Sequence, residues 1–405
     1  MKEKAREPAI RFSEFAGAWE QRKVKDLAAN TYGGGTPSTS NPEFWEGSIP
    51  WIQSSDLSEH NLFRVHPRKF ISQAAVANSP VKIIPENSIA VITRVGVGKL
   101  AVMSFSYTTS QDFLSLGNLN TDVKFASYQL YRRLQKDLNA VQGTSIKGIT
   151  KEELLGKNID IPGRQEQEAI GKFFSKIDSL LTLHQRKYEQ FLILKESMIQ
   201  KLFPKDGEHA PEIRFSGCAG DWEQRLLGDI YLERNERGSK SLDILSVSIH
   251  SGISEKNLDA GALGKIVRRS EDKSLYKHVF PGDLVFNMMR AWQGALGVVK
   301  KEGMVSPAYI SAIPNAEVYP GFMNYCLRRK NVINQINNLS YGVTDFRKRL
   351  YWDSFVKIKI SLPSISEQKK ITEFLTRLDA AINLHKRRLG MLKNVKQAFL
   401  EKMFI

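Results

Sequence analysis

The sequence predicts an α+β protein in which two domains of mixed helix and strand are separated by two long antiparallel, coiled-coil-like helices, related by a pseudo-twofold internal repeat. Three observations predict this fold. Blocks of sequence recur at both ends of each half, the stretches between them carry short strand-type runs, and each half closes with a long amphipathic pattern. The predicted segments are residues 1–161 and 205–361 for the domains, and residues 162–204 and 362–405 for the central and C-terminal repeated helices.

The repeat is visible by direct comparison. Residues 8–22 read PAIRFSEFAGAWEQR and residues 211–225 read PEIRFSGCAGDWEQR. A second block, residues 161–203, recurs at residues 362–404 and pairs His184 with His385. Between the blocks, the stretches from Tyr32 to about Asn158 and from Tyr231 to about Lys357 share no long run. Duplication with divergent centres predicts one scaffold that presents two different recognition surfaces.

The divergent stretches have the pattern of compact α+β domains of roughly 140 residues each. Short apolar runs separated by turn residues predict strands, and two longer periodic runs predict helices. The predicted strands are Ile49–Ile52, Ile89–Ile92, Leu100–Phe105, Leu245–Ile249, Asp283–Phe286 and Leu296–Val299, and the helices are Ser127–Leu138 and Pro320–Gln335.

The repeated helices show a heptad pattern. Position d falls on Phe173, Leu180, Lys187 and Leu194 in the first helix, while Phe174 and Leu181 widen the apolar stripe. Neither stripe can be buried by one helix alone, so we expect the two helices to pack on each other. The predicted contact residues, which are the a positions together with Phe173 and its copy, are Ile170, Phe173, Ile177, His184, Phe191, Ile371, Phe374, Leu378, His385 and Leu392.

The helix pair also has a predicted geometry. Helices of about 36 residues are roughly 50 Å long, which is one to one and a half turns of B-DNA. His184 and His385 fall near the middle of each helix, so an antiparallel pair should bring them together. A structural role in the seam is favoured for them over a catalytic or metal-binding role. The pair would hold the two recognition surfaces a fixed distance apart.

The composition indicates a polyanionic partner and a reducing compartment. Lys and Arg number 59 against 43 Asp and Glu, a formal net charge of +16, which favours a polyanionic partner such as nucleic acid but also suits a charge that serves solubility alone. Cys218 and Cys326 form neither a disulfide framework nor a metal cluster. No signal peptide and no membrane-spanning run is expected, so the predicted location is cytoplasmic, without membrane contact.

Loops in both divergent stretches mix residue types that contact bases and phosphates. Arginine can form two hydrogen bonds with guanine and glutamine with adenine, while lysine suits phosphate. For any single residue an ordinary solvated loop is at least as good an interpretation. The candidate DNA contacts are Arg94, Lys99, Gln111, Lys147, Arg290, Gln293, Arg347 and Lys348.

Motifs for catalysis are missing. Asn41-Pro42-Glu43-Phe44 resembles the Asn-Pro-Pro-aromatic motif of amino-methyltransferases, but Glu43 breaks it and no Gly-rich nucleotide turn precedes it. Gly96-Val97-Gly98-Lys99 resembles part of a phosphate loop, but Leu100 stands where Ser or Thr is needed. No metal site and no catalytic residue is predicted.

These blocks resemble the specificity subunits of type I restriction–modification systems over essentially the whole chain. The residues that carry the resemblance are Trp19–Arg22 and its copy Trp222–Arg225, Gly35–Ser38 with Phe44–Ile52, Tyr276–His278, Gly282–Ala295, Val305–Tyr309, and the helix entries Ile161-Pro162 with Glu166-Gln167 and Leu362-Pro363 with Glu367-Gln368.

The resemblance implies two target-recognition domains that each read one half of a bipartite, gapped DNA site. It also implies that the helices dock the modification (adenine methyltransferase) subunits and that a restriction (translocase/endonuclease) subunit can join. S-adenosylmethionine, ATP and Mg²⁺ would then belong to those partners and not to this chain. Two other classes stay open: a stand-alone methyltransferase or nuclease, and a coiled-coil transcription regulator or architectural DNA binder. Binding of S-adenosylmethionine by the chain alone would favour the first, and a symmetric site the second.

Overall fold

A computed structural model describes residues 6–58, 61–140, 148–239, 241–249, 252–254, 274–342 and 347–405. The chain divides into two compact units. The first unit consists of Met1–Lys187 with His385–Ile405, and the second of Tyr188–Leu384. Each long helix is therefore divided between the units, whereas the segment boundaries predicted from the sequence lie at the start of each helix.

The first unit is built on a four-stranded antiparallel sheet of order β2-β8-β5-β6, beside a three-stranded sheet β4-β3-β7 and a pair β1-β9. Its strands are β1 Glu20–Lys23, β2 Ala28–Gly33, β3 Ile49–Ile52, β4 Lys69–Ile71, β5 Ser88–Ile92, β6 Leu100–Met103, β7 Thr108–Thr109, β8 Phe113–Leu119 and β9 Asn158–Ile161. Its α-helices are α1 Gln73–Ala77, α2 Val123–Ala140, α3 Lys151–Gly156 and the first part of α4, the first long helix, Arg164–Lys201; the 3₁₀ turns are Val24–Leu27, Pro42–Trp45 and Ser54–Asp56.

The second unit repeats this plan with a sheet of order β11-β18-β15-β16 and pairs β10-β19, β12-β13 and β14-β17. Its strands are β10 Glu223–Leu226, β11 Tyr231–Arg234, β12 Ser246–Ser248, β13 Gly252–Ser254, β14 Lys277–Val279, β15 Leu284–Asn287, β16 Leu296–Val298, β17 Gly303–Val305, β18 Tyr309–Pro314 and β19 Lys359–Leu362. Its helices are α5 Leu227–Ile230, α6 Pro320–Cys326, α7 Lys330–Leu339, α8 Trp352–Phe355 and the first part of α9, the second long helix, Ile365–Lys402, with a 3₁₀ turn at Ala291–Gln293. The predicted α+β class, the predicted strands and the helix predicted at Ser127–Leu138 are confirmed to within a few residues. The single helix predicted at Pro320–Gln335 is instead two helices, α6 and α7, separated by residues 327–329.

The first repeated block, residues 8–22 and 211–225, contributes one tryptophan to an aromatic cluster in the core of each unit. In the first unit the Trp19 ring contacts Phe125 and Phe404, with centroids 5.9 and 6.3 Å away. In the second unit Trp222 contacts Phe203 and Phe322 at 5.7 and 5.9 Å. Phe203 and Phe404 end the two copies of the second block, so each unit is closed by an equivalent aromatic side chain.

An arginine earlier in the first repeated block, Arg11 and its copy Arg214, fixes the start of each long helix. Arg11 donates to both carboxylate oxygens of Glu166 at 2.8 and 2.7 Å, and Arg214 does the same to Glu367 at 2.9 and 2.6 Å. Both glutamates are nearly fully buried. The hydrogen bonds to Glu166 and Glu367 raise the pKa of the Arg11 and Arg214 guanidinium groups. Such two-pronged pairs are specific in geometry as well as strong.

The two long helices run antiparallel within each unit. In the first unit, α4 places Phe173 5.0 Å from Phe399 of α9, and Lys396 of α9 donates to Asp178 of α4 at 2.6 Å. In the second unit, Lys195 of α4 donates to Asp379 of α9 at the same distance. Asp178 and Asp379 occupy equivalent positions of the repeat, as do Lys195 and Lys396. Each long helix therefore contributes one aspartate and one lysine to these two equivalent ion pairs.

The prediction that the two histidines meet is confirmed. The Nδ1 atoms of His184 and His385 lie 2.8 Å apart in the first unit, so one ring donates and the other accepts. Burial lowers the pKa of both rings most, the His184 ring then lowers that of His385, and nearby cations lower both further. The cations are Lys187 and Arg388. At least one of the two rings must be neutral for this contact, because one Nδ1 atom has to accept the hydrogen bond.

The predicted heptad is half right. The a positions Ile170, Ile177, Ile371 and Leu378 are buried, and His385 is buried as well, while His184, Phe191 and Leu392 are half-buried. Of the predicted d positions, Phe173 contacts Phe399 of α9 as expected, whereas Leu180 and Leu194 are 45% and 41% exposed. The second apolar column instead follows Phe174 and Leu181, one residue further on, and its repeats Leu375 and Ile382. Phe173 and Phe374 lie beside it and pack on Phe12 and Phe215.

Candidate nucleic-acid interface

In the first unit, several loops with candidate residues meet at one end of the main sheet. Strand β2 ends at Gly33, opposite the start of β8, and β5 ends at Ile92, which also faces the start of β8. The backbone joins the loops there: Thr93 N donates to Asp112 O at 2.7 Å, and Gly35 N to Thr109 O at 2.9 Å. Arg94, Lys99 and Gln111 therefore lie at the same end of the sheet.

The β5–β6 connection, which we name hairpin 1 (Thr93–Lys99), has a fixed backbone. Ile92 N donates to Lys99 O at 3.0 Å, and Ile149 N donates to Thr93 O at 2.7 Å. Gly98 has φ +98°, and a Cβ there would lie 2.2 Å from Leu138 Cδ1, so only glycine fits. Arg94 is exposed at the tip, and the neighbouring Val95 is 68% exposed.

The other first-unit candidates differ in accessibility. Gln111 is exposed and hydrogen-bonds to Thr36. Lys99 is half-buried at the end of hairpin 1. Lys147 lies outside the described residues.

Sequence reasoning missed a cationic group beside these loops. Lys69 on β4 pairs with Trp51 on β3, and its amine lies 5.5 Å from the Trp45 ring and 5.7 Å from the Trp51 ring. The adjacent Arg68 forms an ion pair with the buried Asp56 at 3.5 Å. β3 pairs in parallel with β7, where Ile52 lies opposite Thr109, so this group adjoins the same sheet end. The run Arg68-Lys69-Phe70 was a usable signal, but the tryptophan partners are distant in sequence.

The second unit has a hairpin at the equivalent place, the β15–β16 connection, which we name hairpin 2 (Met288–Ala295). Asn287 N donates to Ala295 O at 2.9 Å, and the Asn287 side chain accepts from Met289 N at 2.9 Å. Gly294 has φ +91° and ends the 3₁₀ turn. Arg290 and Gln293 are exposed, and Met289 is 42% exposed.

A further anchor is also equivalent in both units. Leu350 N donates to Met288 O at 2.9 Å, as Ile149 N does to Thr93 O, and Ile149 and Leu350 are separated by the same offset as the second repeated block. Arg347 is exposed near this anchor. Lys348 is half-buried, and its amine donates to Asn337 at 2.7 Å. Arg347 is therefore more accessible to a ligand than Lys348.

The motifs that resembled catalytic ones have other roles in the fold. Asn41 caps a 3₁₀ turn by accepting from Glu43 N at 3.1 Å, and Gly96–Lys99 belongs to a hairpin between antiparallel strands. A phosphate loop instead joins a strand to a helix. Among the described residues, no three His, Cys, Asp or Glu side chains are grouped to hold a metal. Within those same ranges, none of the helices has the length and apolar content to cross a membrane.

Comparison with known proteins places both halves in one family. The family model described as "Type I restriction modification DNA specificity domain" matches residues 17–191 and residues 220–394, which together are most of the chain. The chain belongs to this family. Each match spans one variable domain, including its hairpin, and most of the following long helix.

Individual relatives agree with this assignment. The chain is 29% identical over 230 residues to the MjaIX specificity subunit of Methanocaldococcus jannaschii, covering 52% of this chain and 51% of that protein. It is 30% identical over 205 residues to the EcoR124I/EcoR124II specificity subunit of Escherichia coli, covering 46% and 50%. The chain thus spans about half the length of these two relatives. The crystal structure of an S subunit from M. genitalium has the same fold, with a TM-score of 0.63 at 18% identity over 98% of this chain and 99% of that one.

Proposed function

We propose that this chain is the DNA-reading, non-catalytic specificity subunit of a type I restriction–modification enzyme. Each variable domain reads one half of a bipartite, gapped site in double-stranded DNA, and the long helices set the spacing between the halves. The observation that carries the proposal is the double match to the specificity-domain model. Two equivalent sheets carry different loops, which suits the reading of two different sequences.

Modification subunits dock on the long helices in this proposal. The first unit exposes Leu183 of α4 and Val395 of α9, and the second exposes Leu384 of α9 and Leu194 of α4. These are equivalent positions of the repeat, since Leu183 corresponds to Leu384 and Leu194 to Val395. Exposed apolar side chains on otherwise polar helices are typical of a surface that a partner covers. Two equivalent surfaces suit two copies of one partner.

The proposal assigns the chemistry to the partners. Modification subunits would hold S-adenosylmethionine and methylate adenine, and a restriction subunit would use ATP and Mg²⁺. This chain would act in the cytoplasm, and it would supply sequence selection and assembly.

The test is co-purification with candidate adenine methyltransferase subunits, followed by single-molecule sequencing of DNA methylated by the mixture. We expect a gapped, asymmetric methyladenine motif that requires this chain. Exchange of residues 32–158 for those of another family member should change one half of the motif only. The paired change Leu183→Glu and Leu384→Glu should abolish co-purification, whereas Gln190→Glu on the same helix should not.

Other outcomes would contradict the proposal. Methylation or cleavage of DNA by the chain alone would show that it is an enzyme. A symmetric motif would indicate a regulator-type dimer, and the lack of any complex with modification subunits would indicate an independent DNA binder.

A further inference from the structure

Hairpins 1 and 2 are equivalent in position but unrelated in sequence. Each joins the second pair of strands in a four-stranded sheet of the same order, and each is held by a backbone bond from the equivalent residue, Ile149 or Leu350. The strands and the backbone hydrogen bond around each tip are thus the same in both units, whereas the residues of the tip differ. A position of this kind is where a scaffold can change what it recognises without changing its fold.

Both tips present the same two kinds of side chain. Hairpin 1 places exposed Arg94 next to Val95, and hairpin 2 places exposed Met289 next to Arg290. A valine and a methionine this exposed at a tight turn bury little apolar surface in the free protein. Glycines with positive φ shape both turns, Gly98 in one and Gly294 in the other.

We propose that each hairpin tip reads two neighbouring base pairs in the major groove. Arg94 or Arg290 forms the bidentate contact with guanine O6 and N7, and Val95 or Met289 covers the methyl group of an adjacent thymine. Consecutive Cα atoms are about 3.8 Å apart and stacked bases about 3.4 Å, so two successive residues can address two successive base pairs. The proposal rests on the proposed function, and it assigns hairpin 1 to one half-site and hairpin 2 to the other.

The experiment uses the complex of the full chain with its modification subunits. Single-molecule sequencing defines the motif for the unaltered chain and for Arg94→Ala, Val95→Ala, Met289→Ala and Arg290→Ala. We expect the two changes in hairpin 1 to relax one half of the motif at adjacent positions, and the two in hairpin 2 to relax the other half. Each pair is the matched control for the other. Arg22→Ala, an exposed arginine outside the hairpin, should leave both halves unchanged.

Modified duplexes then test the contacted atoms. With the unaltered chain, 7-deazaguanine at the base assigned to Arg94, which lacks N7, should lower methylation about tenfold, and uracil in place of the neighbouring thymine should lower it by a smaller factor. The first effect should vanish in Arg94→Ala, and the second in Val95→Ala. Unchanged unfolding midpoints of the variants will show that the fold is intact.

The outcomes separate the two proposals. If the unaltered chain yields no gapped motif, the proposed function fails and this inference fails with it. If the motif is present but the tip variants leave it unchanged, or alter both halves together, the hairpin assignment alone is overturned. A half-site without adjacent guanine and thymine would overturn it as well.

Discussion

The two units share a frame and differ at their tips. The frame consists of equivalent side chains in equivalent contacts: Arg11 with Glu166 and Arg214 with Glu367, Asp178 with Lys396 and Asp379 with Lys195. The tips, hairpins 1 and 2, have the same backbone support but no sequence in common. The difference teaches that the repeated residues of this chain maintain assembly of the helices and sheets, while the unrepeated residues are free to determine what is recognised.

Breaking the buried ion pairs should have the largest effect. Arg11→Ala leaves Glu166, whose side chain is nearly fully buried, without its partner, and Arg214→Ala does the same to Glu367. Each change should cost about 3–5 kcal/mol of stability in its own unit. Hydrogen exchange followed separately for the two units measures this, because it shows in which unit the stability is lost. Arg22→Ala is the control. If one change lowered protection in both units, the two ion pairs would not act separately, each within its own unit.

Two tyrosines should reveal where the units are not equal. Tyr128 donates to Asp178 at 2.5 Å and Tyr325 to Asp379 at 2.9 Å. Burial raises the pKa of both phenols, to about 12 for Tyr325, and Tyr128 is fully buried whereas Tyr325 is partly exposed. Hydrogen bonds to charged groups contribute about 1.5–3 kcal/mol. We expect Tyr128→Phe to destabilise the first unit more than Tyr325→Phe destabilises the second, measured by urea unfolding. Equal losses would show that burial does not strengthen this contact.

The histidine contact should give the smallest effect, and a pH dependence. Burial first lowers the pKa of His184 and His385 below the ordinary 6.5; the His184 ring then acts on His385, and the cations Lys187 and Arg388 act on both. The unfolded chain therefore binds protons more readily, so stability is full above about pH 6.5 and falls as the pH drops through that value. The unfolding midpoint should fall between about pH 7.5 and 5.5 by more in the natural chain than in His184→Gln/His385→Gln. An identical fall in both would exclude the pair as the cause.

Much of the frame could be predicted because repetition marks it. The offsets of the two blocks alone predicted which residues are equivalent, and the contact of His184 with His385 followed from an antiparallel pair. The d column failed at Leu180 and Leu194, which look like core residues by hydrophobicity, although the helices leave them exposed. Hydrophobic periodicity identifies an apolar face but does not say whether the same chain covers it.

The candidate interface was harder to predict. Arg94 and Arg290 were chosen for their residue type, but their equivalence became visible only through the order of the strands. Lys69 was missed because its aromatic partners are brought to it by the pairing of β3 with β4, which no local pattern specifies.

The division of the long helices between the units also affects the order in which the protein is made. The second unit is one uninterrupted stretch, whereas the first unit requires residues 385–405 in addition to those before residue 188. Phe404 contacts Trp19, Phe125 and Phe174, so the core of the first unit needs a side chain that follows the whole second unit in the chain. During synthesis on the ribosome the second unit can fold as it emerges, and the unit that starts first is finished last.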